Sequence, residues 1–87
     1  VIRGSTTIVE ILRQFPDGEA AELMRKLYWP CAHCGGALRE PLTMAAVRHR
    51  NPPRAVLEAF RALERGELRD EHVEAAGVKV ARAGGFR

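Results

Sequence analysis

Residues 29–36 read WPCAHCGG and hold the chain's two cysteines, Cys31 and Cys34, with His33 between them. Thiols three apart in sequence share one side of a helical turn, with Cα atoms about 5–6 Å apart, a separation that a disulfide accepts. If Cys31 opens such a turn, unpaired amide donors and the positive end of the helix dipole favour its thiolate. A protonated His33 adds positive charge within reach of either sulfur. In that arrangement Cys31 is the attacking thiolate, Cys34 the resolving thiol and His33 an electrostatic tuner, and no cofactor is required. A lower thiolate pKa also makes the disulfide easier to reduce, hence more oxidising.

The same pair is equally half of a metal site. Structural zinc takes four ligands, and Cys31 with Cys34 supplies two. His49 follows Cys34 at nearly finger-type spacing, but Pro53, Arg54 and Ala55 stand where the partner histidine belongs. His72 closes a site only through tertiary folding, and His33 lies inside the loop, poorly placed for the same ion. Two chains could instead pool four cysteines around one zinc or an iron–sulfur cluster, which makes a homo-oligomer one alternative. A third reading treats the cysteines as small hydrophobes packed in a tight turn. Thioredoxin-like enzymes carry C-x-x-C between a strand and a helix, and no such strand is legible here.

Composition narrows the class. The chain has 87 residues, enough for one small domain, with 46% hydrophobic and 29% charged residues, as in ordinary globular proteins. No stretch is long and apolar enough to span a membrane, and no basic-then-apolar leader opens the sequence. The expected compartment is the cytoplasm. Two cysteines are too few for a secreted disulfide scaffold, which turns them towards redox or metal chemistry. The formal charge is +3, and 12 of the 14 cationic residues are arginine. A mild excess of this kind permits an acidic partner without demanding one.

The elements that must position the pair read as helices throughout. Thr7 and Glu10 make a capping box, followed by Ile8, Ile11, Leu12 and Phe15 at helical spacing, and Pro16-Asp17-Gly18 ends the run. A second helix is expected from about Glu19 to Tyr28, burying Ala20, Leu23, Met24 and Leu27 and closed by Pro30. A single turn over the cysteines is halted by Gly35 and Gly36. A third helix is expected from Leu42 to Arg50. Asn51 then caps a fourth that begins with proline, turns Val56, Leu57, Phe60 and Leu63 inward and stops at Gly66. A short helix from Asp70 to Ala76 stops at Gly77, and the last ten residues are extended or frayed. The expected fold is all-α, a compact orthogonal bundle of four to six short helices, with a C-x-x-C domain over 1–66 and an extension over 67–87 packed on it or partly frayed.

That order of features, "TTIVEILRQFP", "GEAAELMRKL", C-x-x-C and then "EPLTMAAVRHRNPPRAVLEAFRAL", resembles the hybrid-cluster-protein-associated redox disulfide domain family. The resemblance spans about Ile2 to Leu63. It implies a helical bundle with Cys31 and Cys34 at a helix start near the surface, a thiol–disulfide role and a redox partner protein of unstated identity. Glu40 and Leu42 match the acidic and leucine positions that open the family's following helix. The chain departs from the family in carrying Tyr28-Trp29-Pro30 where a glycine often precedes the first cysteine, and Pro41 where threonine is common.

Arg48, Arg50 and Arg54 beside His49 make a basic group at a helix junction. Such a group can contact phosphates or dock on an acidic partner, which gives an interaction module as another alternative. No aromatic residues alternate with these arginines, so nucleic acid is disfavoured and a solvated arginine surface is the simpler account. His49 and His72 read as surface or rim residues, and Trp29 as a core or rim residue beside the site.

Overall fold

A computed structural model describes residues 2–29 and 39–79, and these form an all-α arrangement of five helices. They are α1 (Ile8–Gln14), α2 (Glu19–Lys26), α3 (Leu42–Arg48), α4 (Pro53–Glu64) and α5 (Asp70–Gly77). None of the helices among the described residues is long and apolar enough to cross a membrane. Helices this short are marginal alone, so packing decides whether they persist. The longest, α4, is central: it packs against α3 and α5 and also touches α2. Val56, Ala59, Phe60 and Ala62 of α4 are buried, and Leu57 and Leu63 pack at the edge of the core. Ile8 and Ile11 of α1, Leu23 and Met24 of α2, and Leu42, Ala45 and Ala46 of α3 complete the same core. Ala76 of α5 joins it, with Leu68 and Val73 alongside.

The expected capping box is present on α1. The Glu10 amide donates to Thr7 Oγ1 at 3.3 Å, and Glu10 Oε1 accepts from the Thr7 amide at 2.8 Å. The start of α3 is built differently. Its N-cap is Pro41, which offers no side-chain acceptor. The amides of Leu42 and Thr43 donate instead to the carbonyls of Thr6 at 2.8 Å and Gly4 at 3.1 Å. The Ile8 amide donates in return to the Glu40 carbonyl at 3.0 Å, and Thr7 and Pro41 form an antiparallel bridge. The leading segment thus takes up the orphan donors that a threonine at position 41 would otherwise cap. Further along, Ile2 is buried, its amide donates to Glu64 Oε1 and its carbonyl accepts from Arg61 Nε.

Two helices end earlier than their periodicity suggests. The second stops at Lys26 rather than Tyr28, and the third at Arg48 rather than Arg50. In both, the terminator is a Schellman motif. The Tyr28 amide donates to Arg25 O and the Trp29 amide to Met24 O, each at 2.9 Å. The Arg50 amide donates to Val47 O at 3.0 Å and the Asn51 amide to Ala46 O at 2.8 Å. The turning residue in such a motif is left-handed and usually glycine. Here it is Tyr28 (φ 63°) and Arg50 (φ 62°), whereas α4 ends in the same way on Gly66 (φ 72°).

A left-handed non-glycine residue costs about 1–2 kcal/mol, partly offset in a glycine by its greater freedom in the unfolded chain. Tyr28 is 79% exposed, so its ring contributes little packing. Tyr28→Gly is therefore expected to stabilise the fold by roughly 1 kcal/mol, read as a raised urea midpoint with an unchanged slope. A lowered midpoint would show that the tyrosine ring supports the turn.

Asn51 does not cap α4. The N-cap is Pro52 and Pro53 is the first helical residue, with no side-chain cap. Asn51 is buried instead, and its side chain accepts from the Trp29 indole.

Candidate functional site

Cys31, His33 and Cys34, together with Gly35, Gly36 and the expected single turn, lie outside the described residues. The described chain supplies the frame on either side, Trp29 before the pair and Arg39 to Pro41 after it.

Trp29 is delivered inward by the left-handed turn at Tyr28 and is 3% exposed. Its indole Nε1 donates to Asn51 Oδ1 at 2.7 Å. Its ring stacks on His49, with centroids 5.1 Å apart and planes 16° apart, and it leans on Phe60 at 6.4 Å. Asn51, 1% exposed, is delivered by the matching turn at Arg50. Its Nδ2 donates to Ala76 O at 2.8 Å and to Val78 O at 3.3 Å. The amide is thereby fixed in orientation, with its oxygen towards donors and its nitrogen towards two carbonyls.

Lys79 completes the junction. Its Nζ donates to Leu27 O at 3.3 Å, His49 O at 3.0 Å and Asn51 Oδ1 at 3.0 Å. Leu27 and His49 are the C-cap residues of α2 and α3, so one ammonium serves the negative ends of two helix dipoles. The chain after α5, the end of α2 and the end of α3 meet at these three side chains. Among the described residues, every buried side-chain nitrogen and oxygen has a partner.

The electrostatics follow from burial and crowding of like charge. Burial first, then Arg48 and Lys79, hold the His49 imidazole below its ordinary pKa, and Glu40 opposes them. Burial, then Arg50, lowers the Lys79 ammonium from the usual lysine value. On the far side of the cysteine stretch, Glu40 binds Arg48, with Nε 3.1 and 3.2 Å from its two oxygens.

The expected basic group at the α3–α4 junction is therefore divided by its partners. Arg48 is engaged by Glu40, His49 is half-buried against Trp29, and Arg50 and Arg54 are exposed. His72 works within α5, where its Nδ1 accepts from the Arg69 amide at 3.0 Å in the manner of a capping-box residue. Among the described residues, no three histidine, cysteine or acidic side chains come together as a metal site.

Sequence reasoning found Trp29 as a residue beside the pair but missed what holds it. Asn51 is the chain's only asparagine and sits before Pro52, where a cap is the obvious local role. Lys79 carries no local signal beyond being one of two lysines among twelve arginines. Compared with protein-family models, curated proteins and solved structures, the chain gives no match in any of the three.

Proposed function

We propose that the chain is a small thiol–disulfide exchange domain acting through Cys31 and Cys34. The Cys31 thiolate attacks one sulfur of a partner disulfide, forms a mixed disulfide and expels the other sulfur as a thiolate, which takes up a proton. Cys34 then loses its proton and attacks Cys31 Sγ, closing the intramolecular disulfide and releasing the partner's second thiolate. Two electrons pass from the dithiol to the partner, and the reverse sequence oxidises a partner dithiol. His33, when protonated, stabilises the attacking thiolate. No cofactor enters.

The observation that carries this reading is the anchoring of Trp29, two residues before Cys31. Its buried ring and its bond to Asn51 fix one end of the stretch, and the Glu40 and Pro41 backbone contacts to Ile8 and Thr7 fix the other. Chemistry-bearing residues mounted between rigid supports are the usual architecture of a working loop.

The test is thiol counting with and without reductant, paired with elemental analysis of protein purified anaerobically without added metal. Two metal-free thiols are expected, converting to an intramolecular disulfide. Cys31→Ser is expected to slow exchange with an aromatic disulfide on the order of 100-fold, while Cys34→Ser arrests the protein as a mixed disulfide. Stoichiometric zinc or iron, lost on Cys31→Ser, would make the pair ligands. Two unreactive, metal-free thiols would make it packing.

A further inference from the structure

His49 occupies an unusual position for a histidine one residue from a left-handed turn. Its ring lies flat on the indole of Trp29, while its own carbonyl accepts the Lys79 ammonium at 3.0 Å. Among the described residues, the charged groups acting on it are Arg48 at the end of α3, Lys79 beyond α5, and Glu40, which is bound to the Arg48 guanidinium. Arg50, in the turn after α3, acts on Lys79.

We propose that the Trp29–His49 stack and Lys79 form a proton-operated latch, closed while His49 is neutral and opened when its imidazole is protonated, freeing Lys79 from the ends of α2 and α3. The opening force is repulsion. An imidazolium at position 49 places its charge on the same residue whose carbonyl holds the Lys79 ammonium; His49 is half-buried and Lys79 exposed, so the repulsion is open to screening by salt. Lys79 also shares Asn51 Oδ1 with the Trp29 indole, so its departure removes one of that oxygen's donors and changes the indole's surroundings. Two features favour the imidazolium, the indole face beneath it and the C-terminal carbonyls of α3. Burial and the neighbouring cations outweigh them, since together they lower the proton affinity of His49.

The sign follows by linkage. A histidine whose pKa is depressed on folding binds its proton more readily in the open state. The closed state therefore keeps its full stability above about pH 6.5, the ordinary histidine value, and loses it as pH falls from there through the depressed value. Proton binding and Lys79 docking weaken each other by the same factor. The latch does not depend on the dithiol reading, because none of its groups is a cysteine.

Trp29 is the only tryptophan in the chain, so its emission reports the junction directly. The full chain is titrated from pH 8 to 4, following Trp29 fluorescence and the His49 ring resonances, with far-UV circular dichroism to confirm that the helices persist. A step in emission is expected that coincides with the His49 titration, below the ordinary histidine midpoint, and that disappears in His49→Gln. Lys79→Met is expected to move the His49 midpoint upward, and Lys79→Arg to leave it near its original place. Added salt moves it upward in the unaltered chain, a readout that survives even if Lys79→Met fails to fold. A His49 midpoint at or above the ordinary value would overturn the latch. So would a midpoint indifferent to both salt and Lys79→Met, or an emission step that persists in His49→Gln.

Discussion

Trp29→Ala is expected to cost about 3–5 kcal/mol, the range for deleting a large buried aromatic. A domain of this length holds only about 4–13 kcal/mol in total, so the variant should be largely or partly unfolded at 25 °C. The substitution removes the ring packed between His49 and Phe60 and withdraws the indole donor from Asn51. Trp29→Phe separates the two contributions. It keeps one aromatic ring in the core but loses the N–H and the indole's second ring, and since Lys79 still donates to Asn51 Oδ1 the expected cost is about 1–3 kcal/mol, below that of the alanine variant. Urea denaturation followed by far-UV circular dichroism measures both. If Trp29→Ala cost less than about 1 kcal/mol, the ring would not belong to the core and the anchoring argument for the cysteine stretch would fall with it.

Asn51→Leu should be nearly as damaging, at about 2–4 kcal/mol, although leucine matches the amide in size. The loss is polar: the Trp29 N–H loses its acceptor, and the Ala76 and Val78 carbonyls lose their donor. Asn51→Asp is the sharper comparison. Aspartate caps a helix as well as asparagine does, so a capping role predicts almost no change. In the buried junction a carboxylate still accepts from Trp29 and Lys79, but its second oxygen faces two carbonyl oxygens. Asn51→Asp is therefore expected to be clearly destabilised at neutral pH, with its deficit relative to the unaltered chain shrinking at acid pH, where the protonated carboxyl can donate. Matched urea curves at two pH values read this out, and an unperturbed Asn51→Asp would return Asn51 to the capping role.

These two residues also show where sequence reasoning reached and where it stopped. The beginnings of α1 and α4 and the end of α4 were legible because their signals are local, a Thr7–Glu10 box, a proline at the first turn and a glycine after the last turn, whereas α5 takes in Gly77, the residue expected to stop it. The ends of α2 and α3 were not, because Tyr28 and Arg50 are residue types that rarely take left-handed backbone. What holds them there is tertiary, the burial and mutual hydrogen bond of the residues that follow each. Asn51 before Pro52 obeys a strong local rule, and a buried network overrode it. The cysteine pair was evident at once from its spacing, whereas its support by Trp29 depended on partners 22 and 20 residues away, which no local pattern encodes. Pro41 was foreseen only as a change of cap. The replacement acceptors, Thr6 O and Gly4 O, are backbone atoms without a side-chain signature.

The junction of Trp29, Asn51 and Lys79 also sets a timescale. Its bonds join residues 22, 25, 27, 28, 30 and 52 apart, while the helices themselves close on neighbours within four or five. Distant pairings carry a larger loop-closure cost than near ones, so α3, α4 and α5 are expected to assemble first and the junction to be fastened late. Interactions that form after the folding barrier leave the folding rate nearly untouched and instead govern how quickly the native state is lost. The junction is thus expected to govern how long the folded state of this small protein lasts.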